Sequence, residues 1–439
     1  MYKTLSGDLV LRSLSEGCRS DVERLPGFYG EMLGGVESES AELAAWTKDL
    51  ISGNHPTVTA DDVWVVVDPS KDDQIVSATL LIPQIWRYEE IELPVGRVEL
   101  VATHPDYRRR GLVRALMQTA HERSAALGHQ MQSITGIPHY YRQFGYAMAV
   151  DLAIQSTLAL HQIPPPPNDY TPAFTLRPVT EVDIPKVVEW DAYMARSALL
   201  SAKINAEIVR YNMYGRHPGS SVEVDLLIIV NQAGDGVGFV VLRKRPQMGV
   251  LICYAYVVGE ESSYLETFYD VMRALRDHAS HFDQPPTVIG FDSGIHPTLK
   301  TLIARTFSGN NSPRTYTWYL RVPDMAAFMR QIAPVLERRL EGSGANRYTG
   351  ELTISFYQQT GLRLKFERGK LLEAENLIGL YEQSADAGFP QHTFLNLVFG
   401  HRSYEQLVTV LPDVYCNPKA HALLEALFPL KRSWLLGLA

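Results

Sequence analysis

Apolar runs bounded by turn residues alternate with helical periodicities along most of this chain, and the changes of period place its elements. Strands are expected at 9–14, 63–67, 75–82 and 98–103, with helices over much of 20–34 and 41–52. The strand at 98–103 runs into a basic loop, Arg108-Arg109-Arg110-Gly111, and then into a helix over 112–127. Leu112, Leu116, Ala120 and Leu127 share one face of that helix, and Gly128 follows where a C-terminal cap belongs. A further strand is expected at 131–134.

The run Pro164-Pro165-Pro166-Pro167 is stiff and extended and reads as a linker. Beyond it the same order of elements returns. A strand starts at Phe174, a helix is expected at 183–192, strands at 225–230, 236–243 and 250–257, and a helix at 263–278. A third unit begins near Pro323. It opens with one helical pattern over 325–340, then two strands at 350–357 and 361–367 that Arg368-Gly369-Lys370 ends. Helical patterns follow at 394–399, 404–411 and 420–427. The tail is very apolar, with Trp434, Leu435, Leu436 and Leu438 and no charge after Arg432, so it is expected to pack inward.

Composition narrows the function classes. The 439 residues exceed one ordinary domain. Net charge is −8 and no long basic run occurs, which argues against nucleic acid; no apolar run is long enough for a membrane span. The three cysteines, Cys18, Cys253 and Cys416, are far apart, so neither a disulfide framework nor a zinc site is indicated. His278 and His281 stand i, i+3 with no third ligand, which reads as a solvated helix end. No apolar signal core leads the chain, and a cytoplasmic location is expected.

The candidate chemistry sits at residues 98–146. A helix N-terminus presents free N–H groups and a partial positive charge, which suits an anion. Gly111 removes a Cβ from the approach, and Arg108, Arg109 and Arg110 add phosphate-matched charge. Strand, basic glycine loop and helix together look like a pyrophosphate cradle. In the second unit, Val258-Gly259-Glu260-Glu261 puts acids where the first has arginines, which would repel a pyrophosphate.

Arg108-Arg109-Arg110-Gly111-Leu112-Val113 resembles motif A of the GNAT acetyltransferases, [Q/R]-x-x-G-x-[G/A], with Val113 in place of the small residue. Tyr141-Arg142-Gln143-Phe144-Gly145-Tyr146 matches the family's tyrosine four residues before a glycine–aromatic pair. The three units in order resemble the Eis-type acetyltransferases, an expectation that covers nearly the whole chain. Ala333-Pro334 to Arg339-Leu340, Tyr348 to Leu352, and Phe394 to Gly400 support it.

The resemblance implies an α+β chain: a catalytic GNAT domain at 1–163, a Pro-rich linker at 164–173, a degenerate GNAT-like domain at 174–322, and a sterol-carrier-protein-like α/β domain at 323–439. It implies acetyl-CoA as co-substrate, without metal, held by Val101, Thr103, Arg108, Arg109, Arg110, Gly111, Leu112 and Val113. It also implies transfer to a small-molecule amine or a lysine side chain, in a homo-oligomer, trimer or hexamer. Tyr141 would protonate the leaving thiolate. The base would be the terminal carboxylate of Ala439, although the family's terminal aromatic is missing, or else Glu99; an outward-facing charge is the plainer expectation for Glu99. The alternative class is a non-enzymatic acyl-CoA or apolar-ligand binding protein.

Overall fold

The computed structural model describes residues 2–152, 154–307, 310–311, 316–390 and 392–438. Its first part runs β1 (Tyr2–Thr4), β2 (Val10–Ser13), α1 (Arg19–Leu33), α2 (Glu37–Ile51), β3 (Val63–Asp68), β4 (Gln74–Tyr88), β5 (Ile91–Thr103), α3 (Leu112–Ala126), β6 (Met131–Ile134) and β7 (Ala147–Leu152). The apolar runs form strands as their alternation requires. One set of inward residues, including Val65, Ala78, Leu80 and Leu100, packs with α1 and α2 residues such as Leu25 and Leu50. The opposite set, including Trp64, Val66, Leu81 and Val98, packs with Leu112, Leu116 and Ala120 of α3. A sheet sandwiched between helices results.

The middle part runs β8 (Ile154–Ala159), β9 (Phe174–Pro178), α4 (Ile184–Ala195), β10 (Leu200–Ala202), α5 (Ala206–Tyr214), β11 (Val224–Asn231), β12 (Gly236–Arg243), β13 (Val250–Val258), α6 (Tyr264–Ala279), β14 (Val288–Asp292), α7 (Pro297–Thr306), β15 (Asn310–Asn311) and β16 (Tyr316–Arg321). Two sheets share these strands in an order the chain does not suggest. The first sheet is ordered β1-β2-β3-β4-β5-β6-β16-β7, with β10 paired to the far end of β4. The second is ordered β15-β8-β14-β13-β12-β11-β9. Strand β8 therefore precedes the proline run yet pairs with β14, while β16 follows the second unit yet lies between β6 and β7.

The last part runs α8 (Met325–Gln331), α9 (Ala333–Glu341), β17 (Gly350–Ser355), β18 (Thr360–Glu367), β19 (Lys370–Ile378), β20 (Ala387–Gly388), α10 (Phe394–Val398), α11 (Tyr404–Val410), β21 (Tyr415–Cys416) and α12 (Pro418–Leu427). Its sheet is ordered β19-β18-β17-β20-β21. The single helix expected over 325–340 is two, because Pro334 in the first turn of α9 lacks the N–H that would continue α8. Arg368-Gly369-Lys370 does not end the strand pair: it turns β18 into a third strand, β19. The core of this part is continuous with the first sheet, since Trp86, Tyr88, Val95 and Leu320 pack with Phe328, Leu336 and Phe399. Tyr88 donates its hydroxyl to the Val398 carbonyl at 2.8 Å. Among the described residues no helix is long and apolar enough to cross a membrane.

Candidate functional site

Strand β5 changes character at its midpoint. It pairs in parallel with β6 only from Val95 to Val98, opposite Met131 to Ile134. From Glu99 onward that edge has no strand partner among the described residues. The break coincides with a bulge. Leu80 pairs with Glu99 and Ala78 with Ala102, so β5 sets Leu100 and Val101 against Thr79 alone. Leu100 takes a φ of 53°, the left-handed region that a branched residue reaches only with strain. An extra residue bends its strand and re-aims the side chains beyond it. The result is a splayed edge of β5, with backbone groups open to an extended ligand in the manner of an added strand.

The splay leads to the start of α3. Gly111 is the N-cap residue, with φ 78° and no side-chain cap, and the first turn holds no acid. The orphan N–H groups of α3 are therefore left for an external acceptor. A Cβ built on Gly111 would meet no protein atom within 4 Å, so within the chain the glycine serves the left-handed turn and leaves the space before α3 open. Arg109 is left-handed too, at φ 63°. A cavity of about 590 Å³ opens here, walled by Val101, Thr103, Arg108, Arg109, Gly111, Leu112 and Val113, with Tyr141 at its other side. Arg110 is not part of that wall. Its guanidinium lies over the Tyr107 ring at 4.7 Å and donates to the Asp106 carbonyl.

Tyr141 sits in a short 3-10 turn, Tyr140–Phe144, and is buried. Its ring meets Tyr319 edge-on, centroids 5.7 Å apart, and Tyr140 at 5.2 Å. Burial first, and the Glu99 carboxylate second, push the phenol well above its usual value. It therefore stays protonated at neutral pH and is a weaker acid than a free phenol. Among the described residues its hydroxyl has no hydrogen-bond partner.

Glu99 is not the outward-facing charge expected. It is 7 % exposed. Its carboxylate accepts from Arg97 Nε at 2.8 Å and NH2 at 2.7 Å, and Thr135 Oγ1 lies at 3.4 Å. The Arg97 guanidinium also stacks over Trp318 at 5.0 Å. Ala439 lies outside the described residues. The residues before it do pack inward: Trp434, Leu436 and Leu438 join the core of the second unit.

Sequence reasoning missed the contribution of β16. Tyr316 brings its hydroxyl to the backbone of Gly136, Tyr319 packs on Tyr141, and Trp318 backs Arg97. The alternating aromatics of Tyr316–Leu320 signal a strand. Nothing in them tells that its strand partners lie 164–189 residues earlier.

The equivalent place in the second sheet is closed. Helix α6 has a complete capping box, with Ser263 Oγ accepting from Glu266 N and the Glu266 carboxylate accepting from Ser263 N. A Cβ on Gly259 would lie 2.3 Å from Trp190 Nε1 and 2.5 Å from the Glu261 carboxylate. Glu260 and Glu261 pair with Arg196 and Lys186. His278 faces Asp225 at 3.7 Å, in place of His281.

Residues 36–149 match the family model described as an acetyltransferase (GNAT) domain. No curated protein matches the chain. Among solved structures, a GCN5-related N-acetyltransferase from Anabaena variabilis is similar at a TM-score of 0.67 and 13% identity, over 97% of this chain and 99% of that one. A probable N-acyltransferase from Enterococcus faecalis is similar at 0.65 and 15%, over 98% and 99%. Eis1 from Mycobacterium abscessus is similar at 0.61 and 16%, over 97% and 99%. At these identities the likeness is one of fold. The family match does not favour a non-catalytic binder. The chain carries a GNAT acetyltransferase domain in a mixed α+β fold of several sheets, and by that domain it is an acyltransferase.

Proposed function

We propose that the protein transfers acetyl from acetyl-CoA to a primary amine of a cationic acceptor: an aminoglycoside, a polyamine or a lysine side chain. One contrast carries the reading. Helix α3 begins at an uncapped, open glycine beside three arginines, whereas α6 begins at a capped and filled turn. The pyrophosphate would lie on the N–H groups of α3 with Arg108 and Arg109 around it, and Arg110 would join them only by leaving the Tyr107 ring. The pantetheine arm would extend along the unpaired edge of β5 at Val101 and Thr103, and Leu112 and Val113 would line its entry.

This course leads the thioester toward Tyr141. The acceptor nitrogen attacks the carbonyl carbon, the C–S bond breaks, and Tyr141 supplies the proton that the thiolate takes up. The nitrogen's surplus proton goes to Glu99 or to the carboxylate of Ala439. Units 1–163 and 174–322, joined by 164–173, would be a catalytic and a degenerate GNAT-like domain. Unit 323–439 would be sterol-carrier-like, the assembly a trimer or hexamer, and its place the cytoplasm. Thiol release from acetyl-CoA, measured across a panel of polyamines, aminoglycosides and lysine peptides, tests the reading; no release with any amine would overturn it.

A further inference from the structure

Among the described residues the start of α6 in the second unit is capped and filled, and the segment 433–438 links the core of that unit to the candidate site. That segment crosses the unit as an extended strip. The Trp434 amide donates to the Leu200 carbonyl at 2.7 Å, and the Ala202 amide donates to the Trp434 carbonyl at 3.2 Å. The Trp434 indole donates to the buried Asp191 carboxylate at 2.9 Å. Trp434, Leu436 and Leu438 then fill the core between α4, α5 and β11–β13.

At its end the strip is clamped. Asn212 Nδ2 donates to the Leu438 carbonyl at 2.5 Å, and Arg216 NH2 donates to the same oxygen at 2.7 Å. Asn212 is buried, and the Arg216 side chain is 4% exposed. The clamp is itself held in place. Arg216 also donates to Asn212 Oδ1 at 3.1 Å, lies over the Tyr211 ring at 4.9 Å, and faces Asp49 of α2 at 3.8 Å. Two buried donors on one carbonyl, one of them an arginine 3.8 Å from the Asp49 carboxylate, fix a backbone position more tightly than core packing alone requires.

The fixed position lies beside the candidate site. A side chain at Gly437 would come within 4.0 Å of Arg97 NH1, and Arg97 is the residue that grips Glu99. The strip thus runs from the core of the second unit to the Arg97–Glu99 ion pair of the first sheet.

We infer that the second unit works as a dock for the chain's own segment 434–438, with Asn212 and Arg216 as positioning residues that set this segment against Arg97 and Glu99. The degenerate unit, with the start of its α6 capped and filled, presents the segment to the site in its neighbour. The dock stands on geometry alone; its effect on turnover rests on the acetyl-transfer reading.

The test uses the full chain with Arg216→Met, Asn212→Leu and the conservative Arg216→Lys. Hydrogen exchange of the 434–438 amides reads docking directly. Exchange should rise at least tenfold in Arg216→Met and Asn212→Leu and be partly restored in Arg216→Lys, while melting and calorimetric acetyl-CoA binding verify that the fold is intact. Unchanged exchange in both neutral variants would overturn the dock. In turnover, kcat should fall at least tenfold with KM for acetyl-CoA within twofold. A chain shortened after Leu436 should show the same loss, with no further loss on adding Arg216→Met. Additive losses would mean that Arg216 acts elsewhere and would overturn its positioning role. If exchange rises but no amine supports turnover in any form, the dock stands and the acetyl-transfer reading falls.

Discussion

The Trp434 indole N–H and the Asp191 carboxylate meet at 2.9 Å, both 1% exposed, although 243 residues of chain separate them. Asp191 carries a cost there. Burial pushes it up to about 7, against the pull of the Trp434 hydrogen bond and of Arg87.

That shift sets the direction of a pH effect. An unfolded aspartate ionises near 3.9, while the folded one holds its proton to about 7. The unfolded state alone is therefore favoured by ionisation between those values. The contribution of this group is full below about pH 4, falls as pH rises toward 7, and is flat above. Asp191→Asn mimics the protonated form. Thermal melting from pH 4 to 8 should show a smaller decline in the variant than in the parent; equal declines would mean that Asp191 is ionised throughout.

Acetyl-CoA should bind once per chain. Gly111→Asp places a negative charge at the uncapped start of α3, where the Cβ itself meets open space. Calorimetry should give a stoichiometry of one for the parent and an affinity at least tenfold weaker for the variant. A stoichiometry of two would put a second site in the sheet that Trp190 and Glu261 fill.

Tyr141→Phe removes a hydroxyl without a partner among the described residues, so melting should shift little. The loss should fall on turnover, about 10²-fold in kcat, with KM for acetyl-CoA nearly unchanged, because a general acid acts on the thiolate only as it forms. An unchanged kcat would remove Tyr141 from the mechanism, and Tyr316 would be the next phenol to test.

The two candidate bases separate by substitution. Protonating Glu99 would break a buried pair with Arg97, so Glu99→Gln should lower kcat less than tenfold. Two glycines added after Ala439 should lower it about 10²-fold if that carboxylate is the base. The reverse ranking in initial rates would assign the proton to Glu99.

Much of this was legible in the sequence, for reasons that differ from element to element. Strand β6 and helix α3 are set by local periodicity and by Gly128, and both appear within a residue of their expected bounds. The Arg108–Val113 loop and Tyr141 are read locally too, and the cavity brings them together, Arg110 excepted. The bulge at Leu100 gives no signal, because a leucine does not advertise a left-handed backbone. Glu99 looked solvated because alternation cannot reveal an arginine two residues away on the same face, covered by a tryptophan from β16. Pro334 was present to be read, but the apolar spacing across it masked the break between α8 and α9.

The exchange of β8 and β16 makes the first two units interlocked pieces of one object. No single cut separates them, since any fragment ending at the proline run carries a strand belonging to its neighbour and lacks one of its own. A ribosome must pass residue 321 before the first sheet can close between β6 and β7. Until then Tyr141 lacks the wall that Tyr319 provides, and the candidate site is completed from downstream. Evolution of the second unit is correspondingly tethered. It cannot be deleted without unzipping the sheet next door.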